Sequence, residues 1–104
     1  MAYKVIWSPE AVSDLDEIAT YIAKDSIINA MKVVDKFYDL IGGYGKFPNA
    51  STVVPELSND FYRQKYVYGW RVIYKVDADS QIVAIIAILH GKRLFNAIQG
   101  RFLV

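Results

Sequence analysis

Eight consecutive residues close to the end of the chain, 82–89, are all apolar. A run of this length is far shorter than the roughly 20 residues that a helix needs to cross a bilayer. It is typical of a β-strand covered on both faces, because a strand with one wet face alternates apolar and polar residues. We therefore expect a central strand with protein on both of its faces, and no association with a membrane.

Two amphipathic helices are predicted in the first half of the chain. Ser8 and Pro9 form a helix start, in which the serine caps free amides and the proline takes the first helical position. Apolar residues keep helical spacing to about residue 24, and a second helix follows a break at Ser26 and ends at Gly42. Helices joined by so short a turn form a helical hairpin.

The acidic side chains of the first helix fall largely off its apolar stripe. Asp14, Asp16 and Glu17 are therefore expected to face water.

Extended segments are predicted at 3–7, 61–67, 70–76 and 82–89, where aromatic and β-branched residues concentrate. Residues 44–60 are rich in Gly, Pro, Asn and Ser and are predicted to be a connecting loop. The order of elements predicts an α+β fold, with an N-terminal strand and a helical hairpin packed on a small antiparallel β-sheet. Residues 1–104 are expected to form a single domain.

Composition excludes several kinds of site. The chain has no cysteine and one histidine, which rules out a disulfide framework and a thiolate metal site and disfavours a histidine-based zinc cluster. We expect no metal and no cofactor. The first seven residues do not resemble a signal peptide, so the expected location is the cytoplasm.

The net charge of +1 conceals two halves of opposite sign. Residues 60–104 hold seven basic and three acidic side chains, whereas residues 1–59 hold five basic and eight acidic ones. Such asymmetry bears on association with charged partners rather than on the fold. A hydrophobic content of 54% also suggests that a partner covers part of the surface.

Basic side chains on or just beyond the last three predicted strands are the candidate site: Arg63, Lys65, Arg71, His90, Lys92 and Arg93. Alternation places Arg63 and Lys65 on one face of their strand. Arg71 joins them only if the hairpin has a bulge or a three-residue loop, because a two-residue turn at 68–69 puts Arg71 on the opposite face. The helices are expected to cover the other face of the strand that carries Arg71, leaving Arg71 and Ile73 on an open face.

The same residues allow a catalytic and a structural interpretation. In metal-independent RNA cleavage, Arg71 and Arg93 would stabilise charge on the phosphate, and His90 would act as acid or base. Arg63, Lys65 and Lys92 would then hold substrate phosphates. The alternative is that these side chains form no more than the solvated face of a sheet.

The sequence resembles the RelE/ParE superfamily of bacterial toxins from type II toxin–antitoxin systems. The resemblance depends on the order and spacing of these segments: Tyr3-Lys4-Val5-Ile6-Trp7-Ser8-Pro9-Glu10-Ala11, Asp14-Leu15-Asp16-Glu17-Ile18, Tyr21-Ile22-Ala23, Phe47-Pro48, Val54-Pro55-Glu56-Leu57, Arg63, Gly69-Trp70-Arg71-Val72-Ile73-Tyr74 and His90-Gly91-Lys92-Arg93. It implies a small growth-arresting toxin of the plasmid-stabilisation type, which a cognate antitoxin wraps and inactivates as a hetero-oligomer. An acidic antitoxin segment that folds on binding would suit the basic sheet.

The superfamily implies two different targets. RelE-like members are mRNA interferases that cut messages on the translating ribosome, and often use a tyrosine near the C-terminus. After Arg93 this chain has no tyrosine, and its pI of 7.9 is modest for a protein that docks on ribosomal RNA. The sequence therefore favours ParE-like poisoning of DNA gyrase, with ribosome-dependent mRNA cleavage as the alternative and a non-toxic, antitoxin-binding relic as a further one.

Overall fold

Two helices pack against one face of a five-stranded sheet in the computed structural model, which describes residues 2–90 and 95–102. The elements follow the chain in this order: β1 (Lys4–Trp7), α1 (Pro9–Ala23), α2 (Ile27–Gly42), a short 3₁₀ helix (Gly43–Gly45), β2 (Thr52–Val53), β3 (Tyr62–Val67), β4 (Trp70–Asp77), β5 (Ile82–His90) and a 3₁₀ helix (Phe95–Phe102). We call the last element the C-terminal segment. The predicted α+β fold is confirmed.

Both helices begin at the predicted serines. The Ser8 hydroxyl accepts a hydrogen bond from the backbone N–H of Ala11 at 3.1 Å, and the Ser26 hydroxyl accepts one from Asn29 at the same distance. Each serine satisfies an amide that has no partner within its helix. Within the described ranges, no helix has both the length and the apolar character required to span a bilayer.

The sheet order is β1-β5-β4-β3-β2. The sheet is mixed rather than wholly antiparallel, because β1 pairs parallel with β5 while the other neighbours are antiparallel. A parallel pair needs a long crossover, and the helical hairpin is part of that connection. Part of the expected loop at 44–60 forms the short edge strand β2, which pairs with β3.

Strand β5 has protein on both faces, as predicted, but its alternation is interrupted. Ile73 of β4 pairs with Ala87 and the next residue, Tyr74, pairs with Ile85, so Ile86 is an extra residue in a β-bulge. The bulge reverses the faces along β5. Val83 and Ile85 lie on the helix side before it, whereas Ala87 and Leu89 lie on the other side after it.

The face of the sheet away from the helices is not open, which corrects the sequence-based expectation. The C-terminal segment covers it and forms a second apolar cluster, in which Ile98 packs with Ile73 and Leu89. Ile73 has no exposed surface. The correction has a simple cause: the covering residues lie more than twenty positions further along the chain and leave no local signal in β4.

Candidate functional site

The β3–β4 hairpin decides where the basic side chains point. Its turn has two residues, Tyr68 and Gly69, with positive φ angles of 52° and 83°. Such turns match the twist of antiparallel strands and pair the flanking residues without a bulge. Tyr66 consequently pairs with Arg71, and Lys65 pairs with Val72. Arg71 therefore lies on the opposite face of the sheet from Arg63 and Lys65, and the six basic residues do not form one cluster.

Arg71 is enclosed by partners on the face that the C-terminal segment covers. Its guanidinium donates to both carboxylate oxygens of Glu56, at 2.8 and 2.7 Å, and to the Oε1 atom of Gln64 at 2.9 Å. The guanidinium carbon also lies 5.5 Å from the ring centroid of Phe95. Only 11% of the Arg71 side chain is exposed. Arg71 thus links three separate parts of the chain.

The ion pair shifts the pKa of each partner so that the charged form of that partner is favoured. The hydrogen bond from Arg71 lowers the pKa of Glu56 from its ordinary value of 4.5. The same bond raises the pKa of the Arg71 guanidinium. Both groups are therefore charged at neutral pH, and the positive charge of Arg71 is largely neutralised where it lies.

Arg63 and Lys65 lie together on the helix side, beyond the end of the helical hairpin. Arg63 donates to the backbone oxygens of Ser51 and Asp60 at 3.0 and 3.3 Å, which ties two loops to β3. The Lys65 ammonium lies 5.4 Å from the ring centroid of Tyr44. Among residues 2–90 and 95–102, neither cation forms an ion pair with a carboxylate.

A recess of about 320 Å³ is lined by Lys65 of this pair and by Tyr44. Its walls include Leu40 and Phe47, whose side chains are exposed. We call this region the basic recess. It combines positive charge with apolar surface and is chemically suited to an acidic, partly apolar protein segment or to a nucleotide.

His90 lies at the end of β5 on the helix side of the sheet. It pairs with Trp70, and the two rings meet edge to face with centroids 5.8 Å apart. Arg71 pairs with Leu89, so His90 and Arg71 are on opposite faces of the sheet. Lys92 and Arg93, the other two predicted site residues, lie outside the described residues.

Asp14 departs most from the sequence-based expectation, because it is buried rather than in water. Its carboxylate accepts two hydrogen bonds from Arg101 of the C-terminal segment, at 2.7 and 3.0 Å, and one from the backbone N–H of Ile88 at 2.9 Å. Arg101 also donates to the backbone oxygen of the bulge residue Ile86 at 3.2 Å. Asp16 and Glu17 are exposed, as predicted.

We call Asp14, Arg101 and the bulge in β5 the polar junction. It joins α1, β5 and the C-terminal segment through residues separated by 87 positions in the chain. No local pattern in the sequence indicates such a pair. Within the described part of the chain, no group of three or more histidine, aspartate or glutamate side chains is placed to hold a metal ion.

Comparison with protein families decides the class to which this protein belongs. The model of the ParE toxin of the type II toxin–antitoxin system parDE matches residues 5–95. This chain belongs to the ParE toxin family. It is therefore the toxin component of a type II toxin–antitoxin system, as the sequence resemblance implied, and an antitoxin is its expected partner.

Solved structures of related toxins share the fold of this ParE-family chain. A chromosomal ParDE system from P. aeruginosa matches with a TM-score of 0.70 and 17% identity, over 86% of this chain and 96% of the other. A double arginine-to-alanine mutant of E. coli toxin RelE in the free state also has a TM-score of 0.70, with 11% identity over the whole of both chains. A toxin–antitoxin complex RelBE2 from Mycobacterium tuberculosis matches with a TM-score of 0.61 and 18% identity, over 86% and 92% of the two chains.

The fold is common to toxins of both branches, so it does not by itself assign the target of this ParE-family chain. No sequence match was found among curated proteins.

Proposed function

We propose that this toxin arrests growth by poisoning DNA gyrase rather than by cutting mRNA on the ribosome. The observation that carries the proposal is the separation of Arg71 from His90 by the sheet. Metal-independent RNA cleavage needs an acid or base and a charge-stabilising cation within hydrogen-bond reach of the same phosphate. Side chains on opposite faces of a sheet cannot meet at one phosphate.

The bonding of Arg71 supports the same conclusion. A cation that stabilises a transition state must direct free N–H groups at the position where negative charge develops. Arg71 instead directs both of its terminal nitrogen atoms at Glu56, and one of them also at Gln64. Recruiting Arg71 to a phosphate would require breaking this ion pair first.

One observation favours the alternative of ribosome-dependent mRNA cleavage. Arg63 and Lys65 share a face, Lys65 lines the basic recess beside the ring of Tyr44, and in residues 2–90 and 95–102 no carboxylate pairs with either cation. Such a surface suits the binding of a nucleotide. A basic surface alone supplies affinity but no acid or base, which is why we place this function second.

Two parallel reactions with the purified toxin test the proposal. One contains gyrase, ATP and relaxed plasmid, and the other contains translating ribosomes with a primer-extension readout of the message. We expect blocked supercoiling or trapped DNA breaks in the first reaction and an intact message in the second. The toxin preincubated with its antitoxin is the control in both.

The variant His90→Ala sharpens the comparison. Gyrase poisoning should be unchanged by this substitution, whereas a nuclease that uses His90 as its acid or base should cleave the message much more slowly. Cleavage that requires ribosomes and disappears in His90→Ala would overturn the proposal. Inactivity of the folded toxin in both reactions would also overturn it, in favour of a non-toxic, antitoxin-binding relic.

A further inference from the structure

A second cavity lies between α1 and the ends of β4 and β5. Its volume is about 350 Å³, and its floor includes Ile18 and Ile88. Trp70 and His90 form one wall, and Glu17 and Tyr21, one turn apart on α1, form the other. We call this cavity the acidic cleft. Its volume is near the lower end of the range for ligand pockets, roughly 300–1,000 Å³, and suits a single large side chain.

The acidic cleft is bordered by an excess of negative charge. Helix α1 contains four carboxylates and no lysine or arginine. Two described cations lie near the residues of the cleft: the Lys24 ammonium is beside the ring of Tyr21, and Arg101 has its pKa raised first by the hydrogen bond to Asp14 and then by the charges of Asp14, Glu10 and Glu17. Lys24 and Arg101 therefore stand against the four carboxylates of α1, and the guanidinium of Arg101 is already paired. Asp14 takes up its hydrogen bonds, and Glu17 remains exposed at the cleft.

The aromatic side chains of the cleft favour the same kind of ligand as its carboxylates. The faces of tryptophan and tyrosine rings attract cations, by about 0.5–1 kcal/mol at exposed sites and more where water is excluded. The Tyr21 side chain is 69% exposed, and the Lys24 ammonium already lies 6.0 Å from its ring centroid. The ring of Tyr21 is thus accessible to a cation in this structure.

We propose that the acidic cleft receives a basic side chain, an arginine or a lysine, of the antitoxin. The cation would lie between Glu17 and the rings of Tyr21 and Trp70. Arginine is over-represented among the side chains that dominate binding energy at protein interfaces, and such side chains fill central pockets. Because every type II toxin needs an antitoxin, the inference does not depend on gyrase being the target.

The charge distribution of the whole chain supports a protein partner that carries both signs of charge. Residues 60–104 have a net charge of +4 and residues 1–59 have a net charge of −3. A uniformly acidic segment would suit Lys65 and Arg63 but would be repelled by α1. A partner with acidic residues for the basic recess and one basic residue for the acidic cleft is complementary to both surfaces.

Binding of the purified antitoxin to Glu17→Lys and Asp16→Lys toxins tests the inference. The two variants change charge by the same amount at adjacent exposed positions of α1, and only Glu17 lines the cleft. By titration calorimetry at 150 mM salt, we expect Glu17→Lys to weaken binding about tenfold or more. Asp16→Lys should stay within about twofold of the wild-type toxin. Circular dichroism and urea midpoints establish that both variants fold.

A charge swap identifies the partner residue. Each arginine and lysine of the antitoxin is changed to glutamate in turn and titrated against Glu17→Lys toxin. We expect one of these changes to recover most of the lost affinity, as a direct contact requires.

Two results would overturn the inference. Equal weakening by both toxin variants would mean general charge attraction rather than a filled cleft. Unchanged affinity in Glu17→Lys would mean that the cleft has no basic occupant in the complex. If Glu17→Lys with unchanged antitoxin affinity also loses gyrase inhibition, the cleft is assigned to the target instead.

Discussion

Replacing Arg71 by methionine should destabilise the toxin by about 2–3 kcal/mol and leave its activity per folded molecule intact. Methionine keeps an unbranched apolar stem in place of the arginine stem. It removes the bidentate bond to Glu56, the bond to Gln64 and the contact with Phe95. The change therefore separates a structural role of Arg71 from a catalytic one.

The magnitude follows from the exposure of the two charged partners. Hydrogen bonds to charged groups are worth about 1.5–3 kcal/mol, and fully exposed ion pairs about 0–1 kcal/mol. The Arg71 side chain is 11% exposed and that of Glu56 is 35% exposed, so the pair belongs in the lower part of the first range, at about 2 kcal/mol. Loss of the Phe95 contact adds about 0.5–1 kcal/mol. For a domain of this size the midpoint of thermal unfolding should fall by on the order of 10–20 °C.

The pH dependence of stability provides an independent check. Because Arg71 lowers the pKa of Glu56, folding is favoured by this pair above pH 4.5, where the carboxylate is ionised in both the folded and the unfolded chain. The contribution is lost as the pH falls from 4.5 through the lower pKa of the folded state. The difference in stability between wild-type and Arg71→Met toxins should therefore shrink below pH 4.5.

Urea unfolding at pH 7 and at pH 3, combined with an assay of growth arrest, measures both parts of the prediction. Glu56→Gln is the matched control, because it removes the charge of the partner and leaves Arg71 in place. An Arg71→Met toxin that is fully stable and inactive would refute the reasoning. That result would mean that Arg71 contacts the target or the substrate.

Two further predictions concern stability, and each has a matched control variant. Asp14→Ala should lower the free energy of unfolding by about 3–5 kcal/mol, because it leaves Arg101 without its buried counter-charge. Exposed Asp16→Ala is the control and should stay within about 0.5 kcal/mol of the wild type in urea unfolding. Equal effects of the two substitutions would contradict the burial of Asp14. Tyr44→Phe should be neutral or stabilising by up to about 1 kcal/mol, because the buried Tyr44 hydroxyl has no hydrogen-bond partner among the described residues. Tyr74→Phe is the control and should lower stability by about 1 kcal/mol, since the Tyr74 hydroxyl is hydrogen-bonded to Ser51. A larger loss of stability in Tyr44→Phe than in Tyr74→Phe would contradict the statement that the Tyr44 hydroxyl lacks a partner among the described residues.

Much of the architecture was predictable because its signals are local. The Ser8 and Ser26 caps act on amides three residues away, and helical spacing of apolar side chains marks the face that packs on the sheet. Strands β1, β3, β4 and β5 were placed within one residue of their observed ends for the same reason, whereas β2 lies in the segment expected to be a loop. Membership of the toxin superfamily was also readable, since it depends on the order of short segments along the chain.

The candidate site was only partly predictable. Sequence alternation correctly placed Arg63 and Lys65 on one face, but it left the face of Arg71 open between two turn geometries. A shift of one residue in pairing moves a side chain to the other side of a sheet. The two-residue turn at Tyr68 and Gly69 removes Arg71 from the cluster, and it leaves His90 on the opposite face from Arg71.

The sequence by itself determined the elements, their order and the family of this toxin, because these depend on residues within a few positions of one another. The tertiary structure alone decided the bulge at Ile86, the cover over Ile73 and the bond between Asp14 and Arg101. Each of these features joins segments that are distant in the chain. The two partners of a buried ion pair meet only when the chain folds, so the sequence near either partner does not identify the other. Helical spacing puts Asp14, unlike exposed Asp16, at the edge of the buried stripe of α1, between Ala11 and Ile18. Its partners are fixed only when β5 and the C-terminal segment pack against α1.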